Sequence, residues 1–316
     1  MRLLSSDEPL PADLRGGVIA LGNFDGFHRG HQAVVARAVG RARAEGRPAI
    51  VATFDPHPAR YFRPNTPPFR LTTIRQRARL FAAAGADATL VLRFDAALAA
   101  LDPNAFVRGM LVDRFAAAAI ATGADFTFGR GRAGTADVLV QLGERHGIAI
   151  DTVAPVVDEA EPISSSRIRA ALVEGDCATA ARLLTRPFTI EGKVIHGDKR
   201  GREIGYPTAN IDLGDYLRPR YGIYAVRARL DDGRMLDGAA NLGIRPSFDP
   251  PKELLEPYFF DFAGDLYGRT IEVALIAFLR PEARFHSLNA LTDQMARDCT
   301  DARAELARVG ADGKLG

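Results

Sequence analysis

The hydrophobic pattern of the chain changes near Arg186-Pro187, and this change limits the possible folds more than any other feature. Before it, short apolar runs alternate with alanine-rich helical stretches. Gly17 to Gly22, Ala49 to Phe54, Ala88 to Phe94, Ala117 to Thr122 and Ile148 to Val153 read as buried strands. Gly30 to Glu45, Ile74 to Ala84, Pro103 to Arg114 and Asp137 to His146 read as the helices between them. Strands that alternate with helices imply crossover units and a parallel sheet covered on both faces. Such sheets bind ligands beyond the carboxyl ends of their strands. After Phe188 the pattern becomes β-rich and is punctuated by Gly, Pro and Asp. Thr189 to Ile195, Gly222 to Leu230, Leu236 to Leu242, Tyr258 to Phe262 and Ile271 to Leu279 read as strands of a small antiparallel barrel or sandwich. A last helix is predicted from Ser287 to Val309, with Leu288, Leu291, Met295, Cys299, Ala302 and Leu306 as its apolar stripe. Two domains, 1–185 and 186–316, are therefore expected from the 316 residues.

Charge excludes some functions. With 41 Lys+Arg against 39 Asp+Glu, the surface is not built mainly to grip nucleic acid or anionic lipid. Only Cys177 and Cys299 are cysteines, and they form no C-x-x-C pair, so neither a disulfide framework nor a cysteine zinc site is expected. No apolar run approaches the ~20 residues of a membrane helix. The N-terminus has no basic stretch leading into an apolar core. The expectation is a cytoplasmic protein with small-molecule partners, no nucleic acid and no membrane, acting as a monomer or weak homo-oligomer.

Four runs of the first half carry chemistry. Gly22-Asn23-Phe24-Asp25-Gly26-Phe27-His28-Arg29-Gly30-His31 leaves a strand and enters a helix. A spacing of three puts His28 and His31 on one helical face, beside the free N–H groups and positive dipole end of the helix. Gly30 lets the backbone come close to a ligand. Donors of this kind suit the α-phosphate and departing pyrophosphate of a nucleotide, with no covalent intermediate required. The alternatives are two ordinary surface histidines or a zinc pair, which needs further ligands at compatible spacing, and the other histidines (His57, His146, His196, His286) are scattered. Ile163-Ser164-Ser165-Ser166-Arg167-Ile168-Arg169 opens another helix. It offers hydroxyls, N–H groups and a forked cation to an anion, though taken alone it is also an ordinary capped helix. Phe54-Asp55-Pro56-His57-Pro58 leaves a strand with its backbone fixed by two prolines. Asp125 to Gly134 is a glycine-rich loop after a strand, by itself compatible with a plain turn.

In their order these runs resemble the N-terminal domain of the bacterial bifunctional FAD synthetases, within the nucleotidylyltransferase superfamily. The resemblance implies that His28 and His31 bind ATP phosphates, together with the run Gly22, Asn23, Phe24 and Gly30. It implies that Ser164, Ser165 and Arg169 help hold the triphosphate. Phe54, Asp55, His57, Pro58, Asp125, Phe126, Phe128 and Arg130 would shape the ATP and FMN pockets. Thr135 stands where the family often has an acidic or amide residue, and Ser166 where Thr is usual.

The second half has its own polar run, Gly197 to Asn210. Glycines and basic residues in one loop (Gly197, Lys199, Gly201, Arg202, Gly205) suit phosphate held by backbone N–H groups, though taken alone the run is also a β-turn with polar decoration. Beyond Pro207, Thr208 and Asn210 lie two apart on one side of an extended segment and present hard oxygens suited to Mg²⁺. Together with Asn241 to Phe248, which includes Arg245, and Asp261 to Gly268, this run resembles riboflavin kinase over about Arg186 to Leu306. That resemblance implies Glu256 as catalytic base, ATP as co-substrate, Mg²⁺ as cofactor, and riboflavin, FMN and FAD as substrates and products. On a strand, Glu256 would share a face with Tyr258 and Phe260, which could line a flavin pocket. Pro257 and Tyr258 depart from the family pattern, and a proline predicts a sheet edge or bulge. Two rivals are a nucleotidyltransferase for another phosphate acceptor, with a non-catalytic second half, and an aminoacyl-tRNA ligase. The kinase-like runs weigh against the first, and the near-neutral charge against the second.

Overall fold

The computed structural model describes residues 1–197, 204–245 and 252–310. The chain divides into two compact units, one of Met1–Pro67 and Thr73–Ser164, the other of Pro68–Thr72 and Ser165–Gly316.

In chain order the first unit contains β1 (Arg2–Ser5), β2 (Val18–Leu21), α1 (Arg29–Ala44), β3 (Ala49–Asp55), α2 (Pro58–Phe62), α3 (Ile74–Ala83), β4 (Ala88–Arg93), α4 (Ala96–Ala100), α5 (Pro103–Ala105), β5 (Ala119–Gly123), α6 (Ala136–His146), β6 (Ala149–Val153) and the hairpin strands β7 (Val157–Asp158) and β8 (Glu161–Pro162). The predicted helix over Pro103 to Arg114 continues past α5 with π-helical bonding through Phe106–Arg114. The sheet has six strands in the order β1-β4-β3-β2-β5-β6, paired in parallel throughout. β1 was not evident from pattern; it is a short edge strand with an exposed Leu3.

Alternation along the central strands assigns the two faces. Ile19, Leu21, Ile50 and Ala52 belong to one apolar cluster, and Val18, Ala20, Ala49 and Val51 to the other. The second face also carries Ala119 and Ala121, and it packs against Val34, Val35 and Ala38 of α1. Small residues on this side leave room for α1 close to the sheet. Each large aliphatic side chain removed from water there contributes about 1.5–3 kcal/mol. After β2 the chain moves to β3 on one side of it, and later to β5 on the other. The β2/β5 boundary is thus the switch point of the sheet, and sheets of this kind bind ligands beyond the carboxyl ends of the strands there.

The second unit begins with α7 (Ser165–Glu174) and α8 (Cys177–Leu184), followed by β9 (Phe188–Ile195), β10 (Asn210–Asp212), β11 (Gly222–Arg229), β12 (Met235–Arg245), β13 (Lys252–Phe259), β14 (Thr270–Arg280) and α9 (Leu288–Val309). The strands close a barrel in the order β10-β13-β12-β11-β14-β9. Every pairing is antiparallel. Closure leaves no open sheet edge, which decides the sequence expectation in favour of a barrel over a sandwich. The α9 helix packs through Ala302 and Leu306 against Ala225, Ala239 and Phe260. Its predicted stripe begins too early, because Leu288 is exposed. Cys299 is only partly buried beside that cluster. Asp298 takes a core position on this helix instead, held by Arg280 through bonds of 2.7 and 2.6 Å.

Two further expectations need correction. The strand predicted over Tyr258 to Phe262 runs earlier, over Lys252–Phe259, and Asp261 is in a left-handed turn (φ 55). Pro257 is not on an open edge: it pairs in register with Ala240 inside the barrel. Its carbonyl accepts from the Ala209 N–H at 2.9 Å. A residue's N and C=O point to the same side of a strand, so the missing donor faces the segment just before β10 and the β12 ladder is undisturbed.

Candidate functional site

In the first unit, the residues singled out from sequence gather at the carboxyl ends of β2, β3 and β5. Gly22 follows β2 and donates its N–H to the Ala52 carbonyl at 3.2 Å. The turn from Asn23 to Phe27 places Phe24 (φ 51) and Phe27 (φ 46) in the left-handed region, and both rings pack on Phe81. His28 then caps α1: its Nδ1 accepts from the His31 N–H at 3.4 Å. A nitrogen that accepts carries no proton, so the neutral ring holds its proton on Nε2 and is a donor there. His31 stacks on His28 with ring centroids 3.6 Å apart and meets the Phe24 ring edge-on at 5.3 Å. Gly30 leaves room for this stack, since a Cβ at that position would lie 3.2 Å from the His28 ring and press on it. The first turn of α1 contains no acidic residue, so its positive end is not offset there.

The neighbouring loops follow the same plan. Phe54 is buried at the end of β3, and Asp55 and Pro56 are joined by a cis peptide bond. His57 caps α2, its Nδ1 accepting from the Ala59 N–H at 3.1 Å, with Pro58 in the first turn. After β5, Asp125 is exposed, while Phe126 and Phe128 stack with centroids 5.7 Å apart. Phe128 and Gly134 exchange both backbone bonds at 2.9 Å, closing the glycine-rich loop. The Arg130 side chain is exposed, and its N–H donates to the Leu101 carbonyl at 2.7 Å. Ser164 ends the first unit. Ser165 and Arg169 lie on α7 of the second, where the Arg169 Nε donates to the Phe69 carbonyl at 2.8 Å.

Sequence reasoning missed Thr53 and Arg77, both buried. The Thr53 hydroxyl donates to the Asn23 carbonyl at 2.7 Å, and Arg77 donates to the same oxygen at 2.8 Å. Thr53 lies inside an apolar strand and Arg77 is one of three arginines on its helix, with Arg75 and Arg79, so no local signal singles out either.

In the second unit, Asn241 and Glu256 are cross-strand partners on β12 and β13, and the Asn241 Nδ2 donates to Glu256 Oε2 at 3.5 Å. Thr208 bridges to Tyr258, and Asn210 begins β10 opposite Ile195. Gly197 lies directly against Asn210: a Cβ there would be 2.5 Å from the amide nitrogen and 2.9 Å from the amide oxygen. Gly205 (φ 83) and Pro207 lie on the approach to that strand. Tyr206, Tyr258 and Phe260 form a chain of edge-on rings, with centroid separations of 5.1 and 6.0 Å. His196 was not selected from sequence, yet it closes the end of β9 with its ring 3.9 Å from Tyr267. Arg245 ends β12 in register with Lys252. Lys199, Gly201 and Arg202 lie outside the described residues. Among the described residues no group of three or more His, Cys, Asp or Glu side chains could hold a metal ion.

Comparison with known proteins agrees with this division of chemistry. Residues 10–167 match the FAD synthetase family and residues 184–306 the riboflavin kinase family. The chain is 40% identical over 292 residues to a bifunctional riboflavin kinase/FMN adenylyltransferase of Escherichia coli (strain K12), covering 92% of this chain and 93% of that protein. It is 40% identical over 305 residues to the protein of that name from Pseudomonas fluorescens, covering 96% and 97%. A crystal structure described as a macrolide-efflux protein from Streptococcus pneumoniae superposes with a TM-score of 0.85 at 31% identity, covering 96% of this chain and 99% of that one. No described helix of the present chain is long and apolar enough to cross a membrane. The chain belongs to the family of bifunctional riboflavin kinase/FMN adenylyltransferases.

Proposed function

We propose that this chain makes flavin nucleotides in two ATP-dependent steps, with phosphorylation of riboflavin to FMN in residues 186–316 and adenylylation of FMN to FAD, releasing pyrophosphate, in residues 1–185. The observation that carries the second step is the His28/His31 stack at the N-terminus of α1, beyond the switch point of the sheet. Attack of the FMN phosphate on the α-phosphorus of ATP adds negative charge to the non-bridging oxygens and the departing pyrophosphate. His28 Nε2–H, His31 and the N–H groups of α1 supply fixed donors to that charge. Ser164, Ser165 and Arg169 hold the triphosphate, while Phe54, Asp55, Pro58, Phe126, Phe128 and Arg130 shape the FMN side.

In the kinase step Glu256 takes the proton from the ribityl hydroxyl as that oxygen attacks the γ-phosphorus. Asn241 orients the Glu256 carboxylate from the facing strand. Tyr206 and Tyr258 offer ring surface to the flavin, whereas Phe260, expected from sequence to share that face, lies past the end of β13 and is buried against α9. The Thr208 hydroxyl and Asn210 amide oxygen, which Gly197 packs against, are a hard-oxygen pair that fits Mg²⁺. Bound there, Mg²⁺ would offset the charge of the ATP phosphates. The free Cys177 and Cys299 fit a reducing cytoplasm, and a monomer or weak homo-oligomer suffices for both steps.

The test is His31→Ala, incubated with riboflavin, ATP and Mg²⁺. FMN should accumulate without conversion to FAD. FAD formation at close to the wild-type rate would refute the phosphate role of the pair.

A further inference from the structure

The carbonyl of Asn23 accepts two hydrogen bonds from side chains of other elements, one of them a buried cation. Thr53 and Arg77 are 0% and 2% exposed. The Thr53 Oγ1 donates to Asn23 O at 2.7 Å. Arg77 Nη1 donates to Asn23 O at 2.8 Å and to Thr53 Oγ1 at 2.8 Å. The start of α3 is fixed by a reciprocal cap between Thr73 and Gln76, which sets the register of Arg77 one residue later. Burying a guanidinium is costly, and an aliphatic side chain would fill the same space without that cost. What arginine adds here is a rigid, charged donor aimed at one backbone oxygen.

That oxygen belongs to the peptide joining Asn23 to Phe24. Phe24 is held at φ 51, a backbone conformation that persists in a bulky residue only when its surroundings impose it. The Phe24 ring meets His31 edge-on, and His31 in turn stacks on His28. Thr53 also leads directly into Phe54 and Asp55, so one clamp ties together the ends of β2 and β3, each of which runs on into a loop of the site.

We infer that Arg77, with Thr53, is a positioning residue for adenylyl transfer, locking the Asn23–Phe24 peptide so that Phe24 supports the His31 ring; this rests on the phosphate role of His28 and His31. Without the clamp the peptide is free to rotate and Phe24 can relax to negative φ, removing the edge contact from His31.

The experiment measures kcat and KM for FMN adenylylation in Arg77→Met, Arg77→Lys, Thr53→Val and Thr53→Ser. Riboflavin phosphorylation by the same chain, assigned to the other unit, reports on the integrity of each preparation. Arg77→Met should lower adenylylation kcat by roughly 10- to 100-fold with a smaller change in KM for ATP, and leave phosphorylation within about twofold. Arg77→Lys should recover most of the loss. Thr53→Val should lose about tenfold and Thr53→Ser almost nothing. The double variant Thr53→Val/Arg77→Met should be no worse than the worse single variant, because both act through one carbonyl. Adenylylation kcat unchanged in Arg77→Met, or Arg77→Lys no better than Arg77→Met, overturns the inference. If Arg77→Met does not fold, Thr53→Val decides: unchanged kcat there refutes it equally. His31→Ala, run in parallel, separates the two readings. Activity surviving in His31→Ala refutes the phosphate role, whereas activity lost there but kept in Arg77→Met refutes only the role of Arg77.

Discussion

Glu256→Gln is the sharpest perturbation of the kinase step. Glutamine keeps the length and shape of the side chain, and its amide oxygen can still accept from Asn241 Nδ2, which reaches Glu256 Oε2 at 3.5 Å. The substitution therefore removes basicity and charge while keeping the shape of the side chain. A positioned general base contributes about 10²- to 10⁴-fold, equivalent to roughly 3–5 kcal/mol of barrier. Riboflavin phosphorylation should fall by that factor, while FMN supplied directly is still adenylylated at the wild-type rate. Asn241→Ala tests the orienting bond. At 3.5 Å it is long, so its contribution is near 1 kcal/mol, or about fivefold in rate. Both are read by chromatographic separation of riboflavin, FMN and FAD during incubation with ATP and Mg²⁺. A Glu256→Gln kinase rate within about threefold of wild type would place the base elsewhere. A parallel fall in adenylylation would show that the substitution damaged the whole chain.

Asp298→Ala should destabilise the barrel unit. Its carboxylate is buried and accepts from Arg280 at 2.7 and 2.6 Å and from Gln294 at 2.9 Å, so its loss strands a largely enclosed guanidinium. The cost is about 3 kcal/mol, or about 10 °C in the unfolding midpoint, and a shift under ~2 °C would contradict it. The two cysteines should differ in reactivity. Burial pushes the Cys177 thiol up to about 12, so it should resist a thiol reagent at pH 8 until the chain unfolds, while the half-buried Cys299 reacts in the native state. Because the folded-state value is raised, the associated stability is complete below the unfolded-state value of about 8.5 and is lost as pH rises above it. By pH 10 the loss is about 2 kcal/mol, and Cys177→Ala should flatten the alkaline decline of the unfolding midpoint. Equal labelling of both cysteines in the native state would refute the assignment.

Much of the architecture was legible because the relevant signals are local. Buried parallel strands are continuous apolar runs, so Val18–Leu21, Ala49–Asp55 and Ala88–Arg93 appeared within a residue or so of their observed ends. β1 and β10, at 4 and 3 residues, are too short to carry a period and exist through pairing with neighbours. The strand containing Glu256 was placed too late because the sequence Asp249-Pro250-Pro251 before it signals no strand, while the aromatic stretch beyond it looked more strand-like. Leu288 satisfied the helical period but lies ahead of the part of α9 that meets the barrel. Asp298 broke the polarity rule and is nonetheless buried, because Arg280 arrives from β14 to pair with it.

The sequence alone determined the chemistry at hand: two histidines three apart at the start of a helix, glycines where the backbone bends, and hard oxygens beside a glycine-rich loop. Those features depend on residue type and short spacing, which the chain carries without folding. Tertiary structure decided which side chains hold them in place. The Arg77–Thr53 clamp on Asn23, the pairing of Asn241 with Glu256, and the direction in which Pro257 lacks a donor each depend on strand register and helix placement. Contacts between residues 15 to 54 positions apart leave no periodic trace in either segment. Packing and sheet closure bring such residues together, and only the folded chain contains that information.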